Sequence, residues 1–279
     1  MAQQYSLAHL TVLGVPPAEM ARKARRAGYD FISPRFIPIG SAGEPRYAVA
    51  EDKALKRDLK RALDETGIGI HDVELARIVD GLDARTYLPA FEVAAELGAR
   101  RIISSAWTND RAFVVDTYAA LCDLAKPLGL TVDFEFPSFS GVTGLGAAVS
   151  VLREAARENC GIMVDTLYLA YSRVRPEELD AIPREWFHFA HLCDAPAEVP
   201  ETTEDMIAIA RSARLYPGEG GIDLAAYLNR MPRIPYSIEL PNDERVAEFG
   251  YEEHARRCVQ AAKRYFGRHP RAEDALLRA

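Results

Sequence analysis

TVDFEFPSFSGVTGLGAAVSVLREAARENCGIMVD, residues 131–165, alternates between two kinds of chain. TVDFEF is a short run of β-branched and aromatic residues, GLGAAVSVLREAAREN is rich in helix formers, and GIMVD is apolar again. A strand that rejoins the same parallel sheet does so through a helix, so the stretch reads as one β/α/β unit. Its two apolar runs close on Glu135 and Asp165. Where strands and helices alternate, the C-terminal ends of the strands gather at one end of the sheet, which predicts that these carboxylates are neighbours.

The same alternation continues outward in both directions. Downstream, FHFAHLCD and YSIEL read as strands seven and eight and carry His191 and Glu239 near their C-terminal ends. Upstream, the apolar run from Leu7 to Leu13, then YDFISP, IGIHDVELARI and ARRIISSAW, read as strands one to four. Helix-forming stretches lie between them, among them AEMARKARRAG, EDKALKRDLKRALDETG and RAFVVDTYAALCDLAKPLG, and glycines at 28, 67, 98 and 129 sit where such helices end. After strand two, IPIGSAGEPRY is a long polar connection and a candidate binding loop. Eight strands in 279 residues fit a single α/β domain, a (β/α)8 TIM barrel over 1–279, with 267–279 as a C-terminal extension. A doubly wound open sheet would alternate similarly, but neither G-x-G-x-x-G after strand one nor G-x-x-x-x-G-K-[ST] occurs, so the usual nucleotide-binding fingerprints are missing.

A hydrophobic content of 48% supplies one large core, and a net charge of −7 argues against a phosphate-binding surface for nucleic acid. Four cysteines, at 122, 160, 193 and 258, form no C-x-x-C pair and read as reduced thiols. The first twenty residues lack a basic region, and Pro16, Pro17 and Glu19 interrupt any apolar run, so neither a signal peptide nor a membrane span is expected. The expectation is a cytoplasmic protein with a small-molecule partner and no nucleic acid or membrane; homo-oligomerisation stays open.

Taken singly, the strand-end residues have ordinary roles. Asp165 precedes Thr166 and suits an Asx cap, His191 suits a satisfied core position, and Glu239 suits a buried salt bridge. Glu135 differs, because Phe134 and Phe136 flank it and an unpaired charge there is costly. Together, three carboxylates and one imidazole at four successive strand ends make a divalent-metal site. Its oxygen-rich donors suit one Mn²⁺ or Mg²⁺ ion, with Co²⁺ or Zn²⁺ compatible. His188 falls on the opposite strand face from His191, and Asp194 is placed to cap the next loop. His9 on strand one, Arg35 after strand two, Glu74 and Arg77 after strand three, and Trp107 after strand four are candidates for the wall of a site for a polyol, ketose or keto acid. His71 reads as mid-strand, and His254 and His269 as solvent-exposed.

These residues resemble the xylose isomerase-like TIM barrels, the family of sugar phosphate isomerases and epimerases also called AP endonuclease family 2. The resemblance covers nearly the whole chain as a β/α pattern and is strongest from Glu135 onward. It implies that Glu135, Asp165, His191 and Glu239 bind one divalent ion, and that Glu135 and Glu239 also exchange protons with the substrate. RLYPGEGGIDL, 214–224, is similar to the family's arginine and Pro-Gly-Glu-Gly loop, which makes Arg214 a substrate contact by resemblance. Many members carry a histidine three residues after the aspartate; Tyr168 stands there in this chain, where it can hydrogen-bond a substrate but is a poorer base. The three-zinc endonuclease branch lacks its extra histidines here.

The expected activity is isomerisation or epimerisation of a sugar or related hydroxy-ketone through a metal-stabilised enediolate. Loss of a hydroxyl from a keto-inositol or from 3-dehydroshikimate shares the first proton abstraction and is the alternative. A non-catalytic binding or partner subunit on the same barrel is a further one.

Overall fold

Each apolar run pairs with its sequence neighbours to build a barrel. In the computed structural model, residues 2–40 and 44–271 are described. Among them are nine strands: β1 (Tyr5–Ala8), β2 (Phe31–Ser33), β3 (Gly69–Ile70), β4 (Asp72–Ile78), β5 (Arg101–Ala106), β6 (Thr131–Glu135), β7 (Cys160–Asp165), β8 (Phe187–Leu192) and β9 (Tyr236–Ile238). Their spatial order is β3-β2-β1-β9-β8-β7-β6-β5-β4, every pair parallel. Only His71 separates β3 from β4. The His71 amide donates to Ile32 O at 2.9 Å, its carbonyl accepts from Arg100 N at 3.4 Å, and a bridge joins Arg35 to Glu74. β3 and β4 are therefore two halves of one stave, and eight staves nearly close a parallel TIM barrel.

Around the barrel run α1 (Pro17–Ala27), α2 (Lys53–Thr66), α3 (Leu88–Glu96), α4 (Arg111–Ala125), α5 (Leu145–Ala155), α6 (Thr166–Tyr171), α7 (Thr203–Ser212), α8 (Leu224–Leu228) and α9 (Asp243–Arg268). Their starts follow local chemistry: Asp52, Asp110, Asp165, Thr202, Asp223 and Asn242 accept backbone N–H bonds at the caps of α2, α4, α6, α7, α8 and α9. Gly28 and Gly67 end α1 and α2 at φ +90° and +67°, a conformation in which a Cβ is strained. The final helix is broken by non-helical backbone at Gly250. Of the C-terminal segment 267–279, residues 267 and 268 complete α9, and Arg271 is buried, donating to Leu228 O at 2.8 Å and also to Met231 O; 272–279 lie outside the described residues.

Four expectations are revised. Strand one stops at Ala8, and His9–Val12 turn as a 3₁₀ helix, because Thr11 Oγ1 donates to Ile238 O and accepts from Leu240 N, binding the turn to β9. Glu74 and Arg77 lie within β4 rather than after it, and the pairing of β4 with β5 shifts register between Val73 and Ala76. His71 sits between strands. His254 is fully buried, its Nε2 2.9 Å from Leu240 O and its Nδ1 3.1 Å from Tyr216 Oη, because this face of α9 packs over the end of β9.

Inside the barrel, Ile103, Met163 and Phe189 form a small apolar plug with Leu75 against it. Phe189 lies edge-on to both His71 and His191, with ring centroids 4.8 and 5.8 Å apart. The plug closes the interior below one end, and that end carries the strand-terminal polar residues.

Candidate metal centre at the barrel mouth

Parallel register brings the four strand-end residues together. Asp165 pairs directly with His191 across β7 and β8, Glu135 ends β6, and Glu239 follows β9. One ligand atom from each of Glu135, Asp165, His191 and Glu239 lies within 4.8 Å of the others, and all four residues are buried.

Each side chain is held differently. Asp165 keeps its ordinary capping role and adds another: one oxygen accepts from Leu167 N at 2.8 Å, the other from Arg214 Nη1 at 2.7 Å. Glu239 Oε2 meets Arg214 Nη2 at 2.8 Å. Arg214 also donates to Ala210 O at 2.8 Å and Glu239 O at 3.0 Å, and is 0% exposed. The structure thus places this arginine behind the carboxylates and away from the cavity, as a brace for two of them. Glu135 accepts no hydrogen bond from the described residues; its Oε1 is 3.6 Å from His191 Nδ1. His191 Nδ1 is also 3.3 Å from Glu239 Oε2, yet both ring nitrogens are buried without a hydrogen bond.

An imidazole left so is incompletely satisfied, because burial strips its water and the carboxylates at 3.3 and 3.6 Å give its ring nitrogens no hydrogen bond. Ion ligation satisfies one nitrogen and the surrounding carboxylates together, so the donor set fits a divalent metal. Without one, burial opposes charge on His191, but Glu239 and Glu135 outweigh it and push the ring up to about 10. Burial also raises Glu135, helped by the charge of Glu239, whereas His191 and Arg214 overcome burial at Glu239 and hold it below the usual carboxylate range.

A cavity of about 310 Å³ opens above these residues. Glu135, His191, Glu239, Glu74, Trp107 and Tyr168 face it. Glu74 is buried and accepts from Arg35 Nη2 at 3.0 Å, while Arg35 also pairs with Glu44 at 2.8 Å. Burial pushes the Glu74 carboxyl up to about 7 despite Arg35. Trp107 is fixed by donation from Nε1 to Ser105 Oγ at 2.9 Å, and the buried Tyr168 hydroxyl is 3.5 Å from Arg214 Nη2. His9 is not on the wall: its Nε2 is 2.8 Å from Val15 O, its Nδ1 accepts from Arg35 N at 2.9 Å, and its ring stacks on Tyr47. Arg77 is off the wall too, with its guanidinium 4.0 Å above the Trp107 ring. Phe139 and Arg211 line the cavity without having been marked by the sequence, whereas Ile39 and Glu44 reach it from the candidate binding loop after strand two. Phe139 lies on a connection and Arg211 on a helix whose approach to the mouth no local pattern announces.

Asp194, the residue placed to cap a loop, does so. It accepts from the amides of Ala195, Gly218, Gly220 and Ile222 at 2.9–3.1 Å and thereby shapes the Pro-Gly-Glu-Gly turn. A Cβ at Gly220 would stand 2.2 Å from Ala195 O, so this turn admits only glycine there.

Comparison with known proteins agrees with this architecture. A family model described as a xylose isomerase-like TIM barrel matches residues 21–262. The chain is 26% identical over 163 residues to a 3-dehydroshikimate dehydratase of Pseudomonas aeruginosa, a match over 55% of this chain and 25% of that protein. It is 23% identical over 185 residues to the inosose isomerase of Bacillus subtilis, covering 62% and 63% of the two. The match therefore spans about a quarter of the dehydratase's length. Among solved structures, an IolI protein with a bound zinc atom superposes with a TM-score of 0.78 at 17% identity, over 96% of this chain and 99% of that one. With the family match running from α1 into α9, the chain belongs to the xylose isomerase-like TIM-barrel family.

Proposed function

We propose that the protein is a divalent-metal-dependent isomerase or epimerase of a sugar or related hydroxy-ketone, with Mn²⁺ or Mg²⁺ held by Glu135, Asp165, His191 and Glu239. The observation that carries this reading is His191, buried among three carboxylates with neither ring nitrogen hydrogen-bonded, at the floor of a cavity of about 310 Å³. When bound, a divalent ion polarises a carbonyl and offsets the negative charge that develops as the adjacent C–H ionises.

The chain's own groups divide the remaining work. Glu135, free of hydrogen bonds, takes the proton from the carbon beside the carbonyl. In an isomerisation Glu135 passes that proton on to the neighbouring carbon; in an epimerisation Glu239, fixed by Arg214 at 2.8 Å, takes a proton from solvent and delivers it to the other face. Tyr168 donates its hydroxyl hydrogen to a substrate oxygen, and Trp107 and Phe139 exclude water from the cavity. The inosose isomerase relative supports isomerisation as the class of reaction.

Dehydration is the second reading, and the 3-dehydroshikimate dehydratase relative favours it. The same base takes the same proton, after which a β-hydroxyl leaves. Proton exchange separates activity from its absence: Mn²⁺-loaded protein in D₂O should wash the α-hydrogen out of an inosose or ketose followed by NMR. Glu135→Gln should slow the exchange by at least about 100-fold. Unchanged turnover in Glu239→Gln overturns the assignment of that residue, and a new conjugated ultraviolet absorbance identifies dehydration.

A further inference from the structure

His191 has two ring nitrogens, and the ion assigned above occupies one of them. Nδ1 faces Glu239 Oε2 at 3.3 Å and Glu135 Oε1 at 3.6 Å, so an ion among these carboxylates meets that nitrogen. A neutral imidazole then carries its hydrogen on Nε2. Nε2 is buried without a hydrogen-bond partner among the described residues, a costly place for an N–H.

Two further carboxylates approach the ring from across the barrel. Asp72 and Glu74 share a face of β4, both are buried, and β4 stands opposite β8 in the strand order. One ligand atom each from Asp72, Glu74 and His191 lie within 4.8 Å of one another. Each carboxylate is anchored by one oxygen and presents the other. Ser33 Oγ donates to Asp72 Oδ1 at 2.5 Å and His71 Nδ1 is 2.9 Å from the same atom, while Arg35 Nη2 donates to Glu74 Oε2 at 3.0 Å. Asp72 Oδ2 and Glu74 Oε1 are buried with no hydrogen-bond partner. The three groups make no direct bond to one another, yet they are close enough to share a water molecule, which accepts a hydrogen and donates two.

We propose that Asp72 and Glu74 are positioning residues for His191: a buried water takes the Nε2 hydrogen of the imidazole and donates its own hydrogens to Asp72 Oδ2 and Glu74 Oε1. An ion on Nδ1 and a water at Nε2 together satisfy both ring nitrogens and both open oxygens. The bridge fixes the tautomer, keeping the hydrogen on Nε2 and the Nδ1 lone pair free for the ion. Glu74, expected from the sequence in the substrate wall, thereby acts through the histidine. A second cation in place of the water fits less well, because it would need Nε2 stripped of its hydrogen while the mouth ion holds Nδ1. The bridge rests on the metal assignment above and is independent of which reaction follows.

NMR of the full chain with ¹⁵N-labelled histidine, loaded with Zn²⁺ as a diamagnetic probe, reads the tautomer. The ring whose signals move on loading should carry its hydrogen on Nε2, and that hydrogen should exchange with solvent at least about 100-fold more slowly than in free imidazole. Asp72→Asn and Glu74→Gln, which nearly keep side-chain shape, should each speed that exchange and weaken Mn²⁺ binding, followed by EPR titration, by about 10- to 100-fold. Because both act through the same water, the double variant should bind within about 3-fold of the weaker single variant, whereas independent charge effects multiply. Cooperative unfolding of the EDTA-treated variants separates these losses from a lost fold, and the wild-type tautomer decides the matter should a variant fail to fold. Hydrogen on Nδ1 in the loaded wild type, affinity kept within about 2-fold in both variants, multiplied losses in the double variant, or a second Zn²⁺ that both variants lose would each overturn the bridge while leaving the mouth ion in place. A wild-type chain that binds no ion overturns the metal assignment and the bridge together.

Discussion

His9 shows what a buried side chain does to its residue's chemistry. It is 0% exposed and its pKa is lowered to about 4 from 6.5, chiefly by burial and also by Arg35, although its bond to Val15 O opposes the shift. The unfolded chain therefore takes up a proton at a pH where the folded chain does not. The stability His9 contributes is present above pH 6.5 and is lost as pH falls toward about 4, at up to about 1.4 kcal/mol per pH unit. Urea unfolding of EDTA-treated protein should show the gap between wild type and His9→Gln narrowing across that interval. Arg214→Met removes the brace from Asp165 and Glu239 and leaves two buried carboxylates, so it should cost about 3–5 kcal/mol and release the metal. Thermal unfolding with and without Mn²⁺ checks both. At this scale the sequence was legible where position alone decides neighbours: Glu135, Asp165, His191 and Glu239 meet because strand ends converge. It was not legible where a partner is distant. The acids paired with Arg214 lie 49 and 25 residues away, and nothing local distinguishes a brace from a substrate contact.

Elements were easier to read than their ends. The helices and their terminal glycines follow from periodicity and left-handed caps, but an apolar run does not distinguish a strand from the 3₁₀ turn that replaces the second half of strand one. Likewise, the division of the third stave at His71 and the register shift near Glu74 arise from pairing with strands on either side, which sequence alone does not contain. The loop after β8 depends on one carboxylate serving four amides. Asp194→Ala should therefore destabilise the protein by at least about 2 kcal/mol, and Gly220→Ala should do so as well by forcing a Cβ onto Ala195 O. Denaturant midpoints measure this; unchanged midpoints would mean that the loop is held by something other than Asp194.

For the whole molecule, the proposed function makes metal binding and folding share one free energy. An ion that binds only the folded chain should raise its stability by about 4 kcal/mol at a thousand times its dissociation constant, so melting temperature should climb with Mn²⁺ and drop with EDTA. The variant His191→Ala, with the imidazole gone, should respond little. The barrel also joins segments far apart in the sequence: β1 pairs with β9, Lys23 and Arg26 of α1 meet Glu252 of α9 at 3.1 and 2.6 Å, and Tyr29 Oη donates to Ala255 O at 2.9 Å. β9 is translated long after β1, so one edge of β1 stays bare until β9 emerges, and Glu239 arrives in the same segment that covers that edge. On the proposed function, ion capture is then confined to molecules in which β9 has docked, and a nascent or truncated chain ending before β9 should neither retain Mn²⁺ nor escape chaperones.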